Sequence, residues 1–178
     1  MRTRTGLIQV YTGNGKGKTT AAIGLGIRAV GQGLRVHMIQ FLKGGDNFPQ
    51  YGEITLIERL PHFSVEQFGL PHFVDPKKIS VEDQRIIDKG VKRARQVLTD
   101  GEYDLVILDE INVVLKIGLA KLPVVLKLLE QRKEGVEVVL TGRDALQELI
   151  DIADLVSNIT EVKHPFTKGV PARKGIEF

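Results

Sequence analysis

The sequence predicts an α/β fold, with a mainly parallel central sheet and helices on both faces. Three observations predict it. Short apolar, β-rich runs alternate with helical patterns along the whole chain, an order that yields strands joined by helical crossovers. The run Leu105-Val-Ile-Leu108 is apolar without a break, as a strand covered on both faces must be. The first run ends in a glycine-rich turn directly before a helical pattern, which is the setting of a P-loop.

Taken in order, Leu7–Thr12 reads as the first strand and Thr19–Val30 as a helix. In that helix Ala21, Ala22, Leu25 and Ala29 recur at spacings of three and four, and Gly31 and Gly33 end it. Leu34–Phe41 reads as a strand and Lys43–Tyr51 as an irregular loop with two glycines and a proline. A strand runs through Val65-Glu-Gln-Phe68. Ser80 starts a long helix, with Asp83 as a variant capping signal three residues on. Ile86, Ile87, Val91, Ala94, Val97 and Leu98 form its apolar face, and its other face is charged and solvated. Asp104–Leu108 is a buried strand. Pro123–Arg132 is a helix that carries its proline in the first turn. Val136–Leu140, Asp144–Ala153 and Leu155–Val162 read as strand, helix and last strand.

Composition bounds what the chain does. A length of 178 residues suits one domain with a single core, residues 1–178. A net charge of +3 suits an anionic ligand such as a nucleotide, and no basic run interleaved with aromatics points to nucleic acid. With no cysteine, disulfides, thiolate zinc sites and cysteine nucleophiles are excluded. The polar start lacks the apolar stretch of a signal peptide. The richest apolar run, Ile117–Leu129, is interrupted by Lys121, Pro123 and Lys127, so no membrane span is expected. The expectation is a soluble, cytoplasmic protein.

The strongest chemical signal is Thr12-Gly13-Asn14-Gly15-Lys16-Gly17-Lys18-Thr19. Glycines allow backbone amides to turn inward as a nest for phosphate oxygens, and the helix beginning near Lys18 aims its positive end at the same anion. Lys18 reaches phosphates as a point charge, and the Thr19 hydroxyl is suited to magnesium. Thr12 stands where the P-loop pattern has its first glycine, and Lys16 adds a second cation. The next signal is Asp109-Glu110, two acids closing a buried strand at the end where α/β sheets bind ligands. One acid suits magnesium, and the other orients a group or acts as a base. The competing reading is a helix N-cap at Asp109 with Glu110 in the first turn. Arg143 follows the strand Val136–Leu140 and either contacts a phosphate or is a surface residue near a helix start. His37, His62, His72 and His164 include no i, i+4 pair, which favours structural or surface roles. The tail from Val162 reads as a basic terminus.

These segments resemble the P-loop type of ATP:cob(I)alamin adenosyltransferases, the corrinoid adenosyltransferases, over nearly the whole chain. The resemblance rests on Gly13-Asn-Gly-Lys-Gly-Lys-Thr-Thr20, Arg28-Ala-Val-Gly-Gln-Gly33, Gln40-Phe-Leu-Lys-Gly44, Val65-Glu-Gln-Phe68, Leu108-Asp-Glu-Ile111, Leu140-Thr-Gly-Arg143, Ala153-Asp154, Val162-Lys-His-Pro-Phe166 and Gly175-Ile-Glu177. The loop and the Lys-His-Pro-Phe tail together are its specific part. It implies a RecA-like P-loop fold, a homodimer and a flavoprotein as the source of electrons. It also implies attack of reduced cobalt on the 5′ carbon of ATP, with tripolyphosphate as the leaving group. ATP would lie in the loop reversed relative to ordinary NTPases. Gly13, Asn14, Gly15, Lys16, Gly17, Lys18, Thr19 and Thr20, with Arg143, would hold the triphosphate. Thr19 and Glu110 would bind magnesium with Asp109 beside them, and Lys18 and Glu110 would position the reactants.

Two features depart from the family. Some members carry an N-terminal extension over the site, whereas only six residues precede Leu7 here. Some members also place two aromatics after the Val-Glu-Gln-Phe strand, facing the corrinoid. Here the segment reads Phe68-Gly-Leu-Pro-His-Phe73, so Phe68, Leu70, His72 and Phe73 are the expected corrinoid-facing residues. The alternative is a loop tucked against a dimer partner. The competing activity is a conventional P-loop ATPase or phosphotransferase with Glu110 positioning water or an acceptor hydroxyl, and a nucleotide-dependent switch is a third.

Overall fold

A computed structural model describes residues 5–45 and 51–177. Six strands form one all-parallel sheet in the order β3-β2-β4-β5-β1-β6. The strands are β1 (Ile8–Thr12), β2 (Val36–Phe41), β3 (Phe63–Phe68), β4 (Leu105–Asp109), β5 (Glu137–Thr141) and β6 (Leu155–Asn158). The helices are α1 (Lys18–Gly31), α2 (Gly52–Ile57), α3 (Val81–Asp100), α4 (Ile111–Lys116), α5 (Leu122–Glu130) and α6 (Gln147–Ile152), and Pro165–Lys168 forms a 3-10 turn.

Period-two alternation divides the core between the two faces of the sheet. On one face Val36, Met38, Leu105, Ile107 and Val139 pack under Ala22, Ile23 and Ala29 of α1 and Ile57 of α2. On the other, Ile39, Phe41, Val106, Leu108, Val138 and Leu140 meet α3, α4, α5 and Leu149 of α6. Both faces are covered, which is why β2 and β4 are buried along their whole length.

Several boundaries differ from expectation for physical reasons. In α1 the buried residues are Lys18, Ala22, Ile23, Gly26 and Ala29, while Ala21 faces outward. Gly26 is required there, because a Cβ would lie 2.6 Å from the Phe63 ring. The Ser80 and Asp83 signal is a full capping box: the Ser80 side chain accepts from Asp83 N, and Asp83 accepts from Ser80 N. Strand β6 stops at Asn158 rather than Val162, because the next carbonyl, Ile159 O, turns to accept from Gly15 N at 2.8 Å. Helix α6 starts at Gln147 rather than Asp144. Asp144 is left-handed at φ 53°, and the following amide, Ala145 N, donates to Thr12 Oγ1 instead. The expected loop Lys43–Tyr51 is irregular at Lys43–Gly45, and its residues 46–50 lie outside the described residues. No helix among the described residues is long and apolar enough to cross a membrane.

Candidate active site

The site forms where β1, β4 and β5 end side by side. β5 lies between the other two, so the loop after β1 and the acids after β4 face each other across the end of β5. Thr141, the last residue of β5, bridges them. Its hydroxyl donates to Asp109 Oδ1 at 2.6 Å and accepts from Glu110 N at 3.0 Å.

The loop itself is packed tightly. A Cβ on Gly13 would lie 2.3 Å from Asn158 Oδ1 and 2.4 Å from Ile159 O, and one on Gly15 would lie 2.8 Å from Thr160. These two glycines are therefore demanded by the chain leaving β6, which lies against the loop. Gly17 is different: among the described residues no other part of the chain approaches its Cβ position, but its φ of 124° is glycine territory. The Gly15 amide is already bonded to Ile159 O, so it is not one of the amides open to a phosphate. Thr12, the departure from the P-loop pattern, is buried, and its hydroxyl holds Ala145 N at 3.1 Å. It ties the loop to the segment that carries Arg143.

The cations of the loop are engaged by the protein's own oxygens. Lys18, buried at 7% exposure, donates to Gly13 O at 2.6 Å and Gly15 O at 2.8 Å. Burial holds its ammonium below the usual lysine range, with the Glu110 charge pulling the other way. Lys16 projects from the loop to Ile176 O at 2.9 Å and Glu177 Oε1 at 3.0 Å. Arg173 and Lys16 together hold the Glu177 carboxyl down to about 2. The tail expected to be only a basic terminus thus returns to the phosphate loop. His164 caps the 3-10 turn on the way, its Nδ1 accepting from Phe166 N at 3.2 Å.

The two acids are not equivalent. Asp109 is fully buried, and both its oxygens are occupied. Oδ1 accepts from Thr19 Oγ1 at 2.8 Å and from Thr141, and Oδ2 accepts from Lys43 Nζ at 2.9 Å and Gln40 Nε2 at 3.2 Å. Glu110 holds the N-cap position of α4 but caps nothing, and it is left-handed at φ 63°, a conformation costing about 1–3 kcal/mol for a non-glycine residue. Its carboxylate accepts no hydrogen bond from the described residues. Burial raises the Glu110 carboxyl above its usual range and the Asp109 charge adds to this, with Lys43, Lys18 and Arg143 opposing. The expected alternative of a cap at Asp109 is replaced by this geometry.

A magnesium ion fits this donor set. The Thr19 hydroxyl and the Glu110 carboxylate are hard oxygen donors, with the occupied Asp109 beside them, and the charge-strained Glu110, without a hydrogen-bond partner among the described residues, is a carboxylate that a cation would relieve. Among the described residues no group of three or more His, Asp or Glu forms a metal cage.

Arg143 is exposed and lines a cleft of about 710 Å³ with Gly13, Asn14, Asp144, Asn158 and Glu161. The remaining loop residues, Asn14 and Thr20, are exposed. The four residues Phe68, Leu70, His72 and Phe73 are spread out. Phe68 ends β3 and packs on α3 at Gly90, and Leu70 is half-buried. His72 Nε2 lies 3.0 Å from Asp83 Oδ1, and Phe73 is 94% exposed.

The model of the family described as ATP:corrinoid adenosyltransferase BtuR/CobO/CobP matches residues 4–178. The chain belongs to this family. It is 37% identical to a corrinoid adenosyltransferase of Sinorhizobium sp. over 100% of this chain and 84% of the relative. It is also 37% identical to the Escherichia coli K12 corrinoid adenosyltransferase and to the corrinoid adenosyltransferase CobA of Salmonella typhimurium, in each case over 97% of this chain and 86% of the relative. As a member it is a transferase with an α/β, all-parallel nucleotide-binding architecture. Sequence reasoning gave no role to Lys43, Gln40, Thr141 or Glu177. All four lay inside segments that carried the resemblance, the one available signal.

Proposed function

We propose that this chain moves the 5′-deoxyadenosyl group of ATP to the reduced cobalt of a corrinoid and releases tripolyphosphate, acting as one domain over residues 1–178. The observation that carries the reading is the Thr19–Asp109–Thr141 cluster, which sets a P-loop helix beside the unpartnered Glu110 carboxylate. The family and its named relatives support adenosyl transfer over phosphoryl transfer.

In this reaction the cobalt supplies the electron pair of the new cobalt–carbon bond. The bond from the 5′ carbon to the α-phosphate oxygen breaks, and its pair leaves on tripolyphosphate. No proton moves, so no general base and no side-chain nucleophile is required. What the protein supplies is position, an effect worth up to ~7–11 kcal/mol, and stabilisation of the leaving charge. Lys16, Lys18 and Arg143 line the place where that charge develops, with the loop amides from Lys16 to Thr20. Thr19 and Glu110, with Asp109 beside them, would hold magnesium, which neutralises phosphate charge when bound. The cleft beside the loop, about 710 Å³, is of the size that takes a nucleotide.

The same reading includes a homodimer in the cytoplasm and a flavoprotein that reduces the cobalt. Leu155, Val162 and Phe166 are exposed apolar side chains that the second copy would cover. Phe68, Leu70, His72 and Phe73 are the proposed corrinoid-facing residues, with Leu70 and Phe73 as the contacts tested below. The test is incubation with ATP, magnesium and chemically reduced cobalamin, followed by the visible spectrum and by analysis of the phosphate products. Adenosylated product with stoichiometric tripolyphosphate is expected. Orthophosphate without a cobalt–carbon bond would overturn the assignment in favour of a conventional ATPase.

A further inference from the structure

Lys43 belongs to no phosphate or metal motif, yet the structure brings it to the centre of the site. It follows the end of β2, and the residue before it, Leu42, is left-handed at φ 61°. A bulky residue in that conformation persists only where its surroundings over-determine it. Here Leu42 N donates to Phe68 O at 2.9 Å, and Gly69 packs so closely on Lys43 N that a Cβ would lie 2.3 Å away. The strained turn aims Lys43 inward, where its side chain is 16% exposed and its Nζ lies 2.9 Å from Asp109 Oδ2. Thr19, the proposed magnesium ligand, bonds the other oxygen of the same carboxylate. Lys43 and the metal position therefore lie within one carboxylate's width.

Among the described residues the partners of Asp109 are three neutral groups and one cation. A fully buried carboxylate needs that cation. A divalent ion at Thr19 and Glu110 would supply the same neutralisation and free the ammonium, which rides on a flexible four-carbon stem. We propose that Lys43 is a substrate-positioning residue. It neutralises Asp109 before nucleotide binds and turns to the polyphosphate once magnesium faces the acid pair. This rests on the reading of the site given above, and it adds a third lysine to Lys16 and Lys18 as a binder of the leaving group.

The test uses Lys43→Met, which keeps the stem and removes the charge, with inorganic tripolyphosphate and Mg²⁺ as probes. Calorimetric titration in Mg²⁺ should show tripolyphosphate bound about tenfold or more weakly by Lys43→Met than by the wild type, the loss of one charge-assisted contact. Mg²⁺ alone should raise the unfolding midpoint of Lys43→Met more than that of the wild type, because the metal replaces the missing cation. Lys43→Met with wild-type tripolyphosphate affinity would overturn the proposal and leave Lys43 as a structural partner of Asp109. If Lys43→Met does not fold, Lys43→Met/Asp109→Asn removes both charges. That double variant should bind tripolyphosphate more weakly than Asp109→Asn alone, and equal binding would overturn the proposal. A wild type that binds tripolyphosphate with no Mg²⁺ dependence would sink the underlying reading of the site instead.

Discussion

The two acids at the end of β4 should respond in opposite ways to loss of charge. Asp109→Asn leaves Lys43 without its countercharge and sets an amide N–H₂ against donors on whichever side it points: Lys43 and Gln40, or the Thr19 and Thr141 hydroxyls. Breaking a buried pair in this way costs about 3–5 kcal/mol. For a protein of this size that lowers the unfolding midpoint by roughly 6–20 °C. Glu110→Gln breaks no hydrogen bond and relieves a carboxylate disfavoured by burial and by the Asp109 charge. It should stabilise the unliganded protein by about 0.5–2 kcal/mol, the usual gain when a site's built-in cost is removed. Its penalty appears with ligand, as a Mg²⁺ requirement raised by about tenfold or more, on the scale of losses seen when support for a metal ligand is removed. Thermal unfolding of both variants, with Mg²⁺ titrations of turnover for Glu110→Gln, measures all of this. A Glu110→Gln protein as unstable as Asp109→Asn, or one with unchanged Mg²⁺ dependence, would refute the division of roles.

Other predictions follow from single contacts. Lys18→Ala should abolish ATP-dependent turnover with a native circular dichroism spectrum and a stability loss of about 1–3 kcal/mol, because Gly13 O and Gly15 O lose their donor; retained turnover would sink the P-loop assignment. Burial holds the His37 imidazole down to about 4, whereas an unfolded imidazole titrates near ~6.5. Between those values the unfolded chain binds the extra proton, so roughly 3 kcal/mol of stability present above the window is lost as pH falls through it. Urea unfolding should show the wild-type advantage over His37→Gln shrinking in that range, and a pH-independent difference counts against it. Glu177→Gln removes the ion pair of Lys16 while its bond to Ile176 O stays, and should tighten tripolyphosphate binding by a factor of about 2–5, the scale of one exposed ion pair; weaker binding would mean that Glu177 assists. Leu70→Ala/Phe73→Ala should raise the Michaelis constant for the corrinoid and leave that for ATP nearly unchanged; dissociation of a dimer would assign the segment to the partner contact instead.

What was legible in the sequence is what local chemistry decides. The run Leu105–Leu108, the Ser80 and Asp83 cap, the first-turn Pro123 and the strand–loop–helix setting of Lys18 each carry their cause within a few residues. Helices α2 and α4 were not legible. Each has six residues, too few to show a period, and the β-branched Ile111, Val113 and Val114 of α4 favour strands on propensity alone. Packing of Ile111, Val114 and Leu115 on the sheet decides that helix. Contacts between distant residues were equally hidden. Lys43 meets Asp109 across 66 positions and Lys16 meets Glu177 across 161. No spacing rule connects such residues, so nothing local to the acid pair showed that Asp109 is saturated while Glu110 accepts no hydrogen bond from the described residues.

That asymmetry has a counterpart in the cations. Lys18 is held by two carbonyls of its own loop, Lys16 by the tail and Lys43 by Asp109. On the proposed reading, a polyphosphate entering this site would exchange partners with these lysines and would not meet bare charges. Its affinity is therefore a difference, smaller than the sum of new ion pairs would give. The same exchange acts in reverse after reaction. Tripolyphosphate is the most highly charged species on the proposed path and, held by three unopposed lysines, would leave slowly. Internal oxygens that reclaim each ammonium would lower the barrier to its release. The interactions that matter for rate are those that strengthen as charge develops on the leaving oxygen, and internal competition removes part of the uniform binding that would otherwise trap the product.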